Sequence, residues 1–290
     1  MKNFIYYIKE RFPIIPALIF SFLFSLTCSL YITRQYGIKE NIISIFLIAM
    51  TITLFLLRLR LWDEIKDFKY DSKFHADRPI QKGLISIKQI KIGSFFILIT
   101  ELLIQLFLPN PSLILFLITF FYSLLIFKDF FIPSLKKANF FFYILLHQVI
   151  FLFYIYYSLS VNLHHFFIPQ NLKDFSVILT LFLPAYIYEI GRKCKHRISH
   201  DGKQTDDTYI YLWGELKSML FLFTLLFLQS LSLFLVLGMN NALLYSHLAI
   251  ILILFILFFI YRKKIINTSD KWSIALGIYG LIILNYYLFL

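Results

Sequence analysis

Apolar runs long enough to cross a bilayer recur along this sequence from end to end, and no other feature restricts its possible folds so strongly. Runs of about 17–25 residues fall near 13–33, 41–61, 92–108, 111–127, 140–161, 174–190, 216–237, 243–261 and 272–290, each matching the ~30 Å hydrocarbon core when wound as a helix. The 290 residues are 60% hydrophobic and only 15% charged, with a mean hydropathy of +0.77, which excludes a soluble globular domain. The expectation is an all-α polytopic membrane protein with about nine transmembrane helices, forming a single integral-membrane domain over 1–290. The first apolar run is too long for a cleaved secretion signal, and eight more follow it.

The distribution of Lys and Arg orients these spans. With the N-terminus in the cytoplasm, every basic residue except Arg34, Lys39 and Lys173 falls on the inner side, as the positive-inside rule requires. The C-terminus is then expected outside. The formal net charge of +12 follows from this topology and from contact with anionic lipid, so no nucleic-acid partner is called for. The expected location is a membrane, the bacterial inner membrane in particular.

Two inner segments carry nearly all of the polar chemistry, at about 58–91 and 188–215. The first runs Arg60-Leu61-Trp62-Asp63-Glu64-Ile65-Lys66-Asp67-Phe68-Lys69-Tyr70-Asp71, then Arg78-Pro79 and Gly83. At about 100° per residue, Asp63, Asp67, Asp71 and Glu64 fall within about 100° of one another on a helical wheel, with Arg60 among them. Four carboxylates on one face suit a hard divalent cation; a solvated, salt-bridged turn with Lys66 and Lys69 is the competing reading. A cation such as Arg60 can hold the cluster together while no metal is present. Arg78, placed before proline, is expected in extended backbone, where its guanidinium either recognises phosphate or simply marks the inner side.

Other polar residues are more ambiguous. Glu101 within a span is either functional or protonated and bonded to a neighbouring helix. Lys128, beside Asp129, either reaches a phosphate or snorkels to the interface. His147 reads as packing or an interhelical hydrogen bond in preference to a substrate contact. His164 and His165 have no ligand partners at zinc spacing, and Cys28 and Cys194 are assigned no chemistry. The first twelve residues read as a short interfacial anchor before Pro13. In the second segment Glu189 ends a membrane helix and is followed by Arg192 and Lys193, then by Asp201, Asp206, Asp207 and Gly214.

These residues resemble the UbiA-type intramembrane prenyltransferases. That family's first signature is Asn-Asp, two residues, Asp, three residues, Asp, then a downstream Arg-Pro and Gly; here it is matched by Asp63-Glu64, Asp67, Asp71, Arg78-Pro79 and Gly83. Its second acidic motif, at the end of the sixth helix, is matched by Tyr188-Glu189 through Thr208-Tyr209 and Gly214. The resemblance implies a helical bundle around a central cavity open to the cytoplasm and the bilayer. It implies Mg²⁺-dependent transfer of a prenyl or polyprenyl group from a prenyl diphosphate donor to a hydrophobic or aromatic acceptor. By position, Asp63, Glu64, Asp67, Asp71 and Glu189 are expected to hold Mg²⁺, and Arg60, Arg78, Lys128, Arg192 and Lys193 to contact diphosphate, with Asp71 also catalytic through help in deprotonating the acceptor.

The chemistry of allylic transfer agrees. A departing diphosphate needs cations, and an allyl cation needs electron-rich walls that keep water out. The chain offers 35 Phe and 19 Tyr for such walls. Two departures from the family pattern stand out: Asp63-Glu64 replaces Asn-Asp, and Arg192-Lys193 occupies the place after Glu189 where another aspartate is usual. An ion-coupled transporter and a non-catalytic protein of the same fold are the alternatives.

Overall fold

The computed structural model describes residues 2–39, 41–132, 139–198, 204–205, 208–237 and 242–290. These are helical nearly throughout, with a single isolated bridge between Ile198 and Gln204 and no strand among them. The all-α expectation holds. Among the described residues, seven helices are long and apolar enough to cross a membrane, with Phe140–Leu163 counted as one. The other two expected spans coincide with Ile87–Gln105, which carries Lys88, Lys91 and Glu101, and with Ser112–Phe127, which has 16 residues.

Two compact units divide the chain, Met1–Phe167 and Ile168–Leu290. The first contains α1 (Lys2–Arg11), α2 (Ile14–Tyr36), α3 (Ile42–Lys66), α4 (Phe68–Phe74), α5 (Ile87–Gln105), α6 (Ser112–Phe127), α7 (Phe140–Gln148) and α8 (Ile150–Leu163). Here α3 packs against α2 and α5, while α8 lies against α2 and α6. Local chemistry sets the helix ends. Gly37, at φ 72°, closes α2 in the left-handed conformation, and the Asn41 side chain accepts from the amides of Ile43 and Ser44 to open α3. Ser86 and Gln89 form a capping box on α5.

The second unit contains α9 (Leu172–Lys193), α10 (Tyr209–Leu237), α11 (Ala242–Ile260), α12 (Arg262–Asn267) and α13 (Ser269–Phe289). Its centre is α9 against α10 and α13. A capping box of Asn171 and Asp174 starts α9. Close packing dictates glycine at 191, where a Cβ would stand 2.6 Å from Ser273 Cβ on α13. Gly214 interrupts α10 at φ 77°, ψ 168°, a region open almost only to glycine. The span expected at 216–237 is the stretch that follows this break.

Around an apolar core, the burial pattern departs from that of a soluble protein in the way an integral membrane protein requires. Ser21, Ser25, Thr51, Arg58 and Glu101 are buried, whereas Phe95, Phe96, Leu252, Ile253, Ile256 and Phe259 are exposed. Ser25 Oγ donates to the Ile45 carbonyl at 2.8 Å, an example of the interhelical bonds that hold helices together in an apolar solvent.

Candidate active site

The first acidic segment lies where α3 passes into α4. Asp67 sits between them at φ −90°, ψ 6°, outside regular helical geometry. The hydrogen-bond ladder nevertheless continues: the amides of Asp67, Asp71 and His75 donate to the carbonyls of Asp63, Asp67 and Asp71, each at 2.8 Å. The three aspartates thus occupy successive turns, as their spacing predicts. Asp67 is exposed and Asp63 about half exposed, while Asp71 is buried and paired with Arg78. The loop that delivers Arg78 is a run of turns closed by Gly83 at φ 74°, with the Leu84 amide donating to the Pro79 carbonyl at 2.9 Å.

Glu64 has a different environment. It is buried, and Oε1 accepts from Arg11 Nε at 3.0 Å and from Arg60 Nη2 at 2.7 Å. Its Oε2 makes no hydrogen bond among the described residues. Arg11 comes from α1, which is more than an interfacial anchor. Tyr7 is buried with Leu61, Ile80, Ile85 and Ile90, and Asn3 donates to the Leu84 carbonyl at 2.8 Å. The alternation of aromatic and charged residues in the first turns was the available sign of docking. Burial, with Arg60 beside it, pulls the Arg11 guanidinium below the usual arginine range against the opposing pull of Glu64. Burial and the Glu64 charge push the Tyr7 phenol upward, so it stays neutral.

Next to this face, Lys66 Nζ lies 3.2 Å from Asp129 Oδ1 and 4.0 Å from Asp63 Oδ1. Asp129 also accepts from Tyr143 Oη at 3.0 Å. Neither Asp129 nor Tyr143 stands out in the sequence, since Asp129 has only Lys128 as a charged neighbour and Tyr143 lies within an apolar run. Lys128 is exposed, with Nζ 5.4 Å from the Phe127 ring centroid. Arg58, which from sequence belongs with the polar segment, is instead buried in α3 against Glu101 of α5. Glu101 is therefore ion-paired within the bundle.

In the second unit, Glu189 near the end of α9 is held by the two cations that follow it. Arg192 binds it in a fork, with Nη2 2.8 Å and 2.9 Å from the two carboxylate oxygens, and Lys193 Nζ approaches to 3.4 Å. Ser269 Oγ on α13 donates to the Gly191 carbonyl at 2.8 Å, securing this helix end. Asp201, Asp206 and Asp207 lie outside the described residues, as do Lys136 and Lys137. Among the described residues, no three His, Cys, Asp or Glu side chains are grouped so as to hold a metal ion.

The chain has a UbiA-type fold. It superposes on the apo structure of a UbiA homologue from Aeropyrum pernix K1 with a TM-score of 0.66 and 12% identity, covering 94% of this chain and 96% of the other. A structure of digeranylgeranylglyceryl phosphate synthase gives a TM-score of 0.64 and 16% identity, with 99% of both chains covered. The sequence itself matches no protein-family model and no curated protein.

Proposed function

We propose that this protein transfers a prenyl or polyprenyl group from its diphosphate to a hydrophobic or aromatic acceptor within the membrane, releasing diphosphate. The observation that carries this reading is the full-length likeness to digeranylgeranylglyceryl phosphate synthase. The successive turns of Asp63, Asp67 and Asp71 beside Arg78 support it. The orientation that the basic residues favour would put these aspartates at the cytoplasmic side.

The donor set fits Mg²⁺. It consists of carboxylate oxygens alone, and the buried Glu64 Oε2 makes no hydrogen bond among the described residues. Mg²⁺ ordinarily takes one or two protein carboxylates and completes its shell with water and substrate phosphate, so three converging side chains are not needed. In the first unit Asp63, Asp67 and Asp71, with Glu64, would hold the ion, which supplies positive charge to the leaving diphosphate, and Glu189 is the metal-binding carboxylate proposed for the second unit. Arg78, Arg60 and Lys128 are the phosphate-binding cations proposed for the first unit, and Arg192 and Lys193 those proposed for the second.

In the reaction the allylic C1–O bond breaks and its electron pair leaves with diphosphate. The acceptor forms a new bond to C1 and loses a proton. Asp71 is the catalytic carboxylate that meets metal and diphosphate. The test is diphosphate release from a prenyl diphosphate by Asp67→Asn and Asp71→Asn proteins. Each is expected to lose Mg²⁺-dependent release while remaining folded, and full release by both overturns the mechanism.

A further inference from the structure

Asp71, which the resemblance casts in the deprotonation of the acceptor, is paired with Arg78. A second cluster in the first unit has the atoms for that task. His147 Nδ1 lies 2.8 Å from the Tyr143 carbonyl, four residues earlier on α7. A carbonyl only accepts, so Nδ1 carries a hydrogen, and Nε2 is the position where the ring gains or loses its other proton. Nε2 is shielded and makes no hydrogen bond among the described residues. Asp129 Oδ1 stands 4.0 Å from it.

The groups facing this nitrogen come from three elements. Asp129 lies in the turn after α6, the Tyr143 ring on α7 lies tilted at 47° against the imidazole with ring centroids 4.2 Å apart, and Lys66 on α3 connects Asp129 with Asp63. Asp129 is 36% exposed and His147 only 17%, so the cluster is approached along the Asp129 carboxylate.

Backbone strain singles out the same place. Asp129, Phe130 and Phe131 have φ of 48°, 55° and 58°, three consecutive non-glycine residues in the left-handed region. Such residues are strained and persist only where their surroundings impose the conformation, which is common at ligand-binding sites. The turn sets Asp129 against Lys66 and Tyr143, and the Phe130 ring edge-on to the imidazole at 5.6 Å.

We propose that His147 Nε2 receives the proton of a hydroxyl-bearing acceptor, with Asp129, Tyr143 and Lys66 positioning that hydroxyl beside it. The inference rests on the prenyl-transfer reading. The acceptor oxygen or its conjugated carbon bonds to C1 of the donor as diphosphate departs with the C1–O electron pair. The proton passes to Nε2, and the resulting imidazolium is stabilised by the Asp129 carboxylate.

The test uses the full chain in lipid nanodiscs with Mg²⁺ and farnesyl diphosphate. The acceptor probes are 4-hydroxybenzoate, 1-oleoylglycerol and, as a control without a hydroxyl, 4-methoxybenzoic acid methyl ester. Wild type is expected to prenylate a hydroxyl probe and not the ether. His147→Ala is expected to lose about 100-fold or more in transfer kcat with donor KM within about threefold, and added imidazole to restore a measurable part of it. His147→Gln keeps a donor for the Tyr143 carbonyl but no proton-accepting nitrogen, and is expected to lose as much while unfolding at the wild-type temperature. Wild-type kcat in His147→Gln, a His147→Ala loss that imidazole leaves unchanged, or prenylation of no hydroxyl probe by a wild type that releases diphosphate each overturns the proposal. No diphosphate release by wild type under any of these conditions instead marks failure of the prenyl-transfer reading, and the proposal falls with it.

Discussion

Arg58 of α3 and Glu101 of α5 pair at 2.6 Å, with both side chains fully buried. The guanidinium also donates to Ser123 Oγ on α6 and lies over the rings of Phe55, Trp62 and Phe120 at 5.0, 4.6 and 5.2 Å. Trp62 donates in turn to Ser94 Oγ at 2.6 Å. One arginine therefore ties three helices of the first unit together, directly below the acidic segment on the same helix α3.

Removing one partner of this pair leaves a charge stranded among apolar side chains, at a cost of about 3–5 kcal/mol. Arg58→Met and Glu101→Leu are each expected to lower the unfolding temperature sharply in detergent. The double substitution should recover most of the loss, because neither charge is then buried alone. A double variant as unstable as the worse single variant would show that the ion pair is not the source of the effect.

Glu64 joins α1 to α3 through Arg11 and Arg60. Glu64→Gln leaves two guanidinium groups facing a neutral amide, and the expected cost is about 1–3 kcal/mol. Arg11→Ala should loosen α1 selectively. Hydrogen exchange read by mass spectrometry is expected to speed up over residues 2–11 and across the 79–90 turn, where Asn3 and Tyr7 dock, and unchanged exchange there would separate α1 from the site.

Arg78 is paired with Asp71, an ion pair that binding of diphosphate would have to rearrange. A planar fork suits two phosphate oxygens, and lysine offers only a point charge. Arg78→Lys is expected to raise the donor KM about tenfold or more and Arg78→Ala further, with the acceptor KM little changed. Equal effects on both substrates would place Arg78 outside the diphosphate site.

The bias of Lys and Arg predicts opposite sides for the two chain ends. A reporter fused after Leu290 is expected on the outer side and one fused before Met1 in the cytoplasm. Finding both on one side would remove one crossing from the expected nine.

The positions of the helices were legible in the sequence because apolar length and capping chemistry act locally. The expected span at 41–61 falls within one residue of the start of Ile42–Lys66, that at 243–261 is offset by one residue from Ala242–Ile260, and Gly214 falls where α10 breaks. The successive turns of Asp63, Asp67 and Asp71 were readable for the same reason, since spacing along one chain segment sets their register. The partner of each charge was not. Arg58 and Glu101 are 43 positions apart, and Arg11 and Glu64 are 53, so no period or motif links them. Nor does any glycine announce the left-handed turn at Asp129–Phe131. Which carboxylates are buried against arginines, and which histidine nitrogen faces a carboxylate, follows from how the helices pack, because the cost of leaving a charge unpaired in an apolar interior is settled only when distant segments meet.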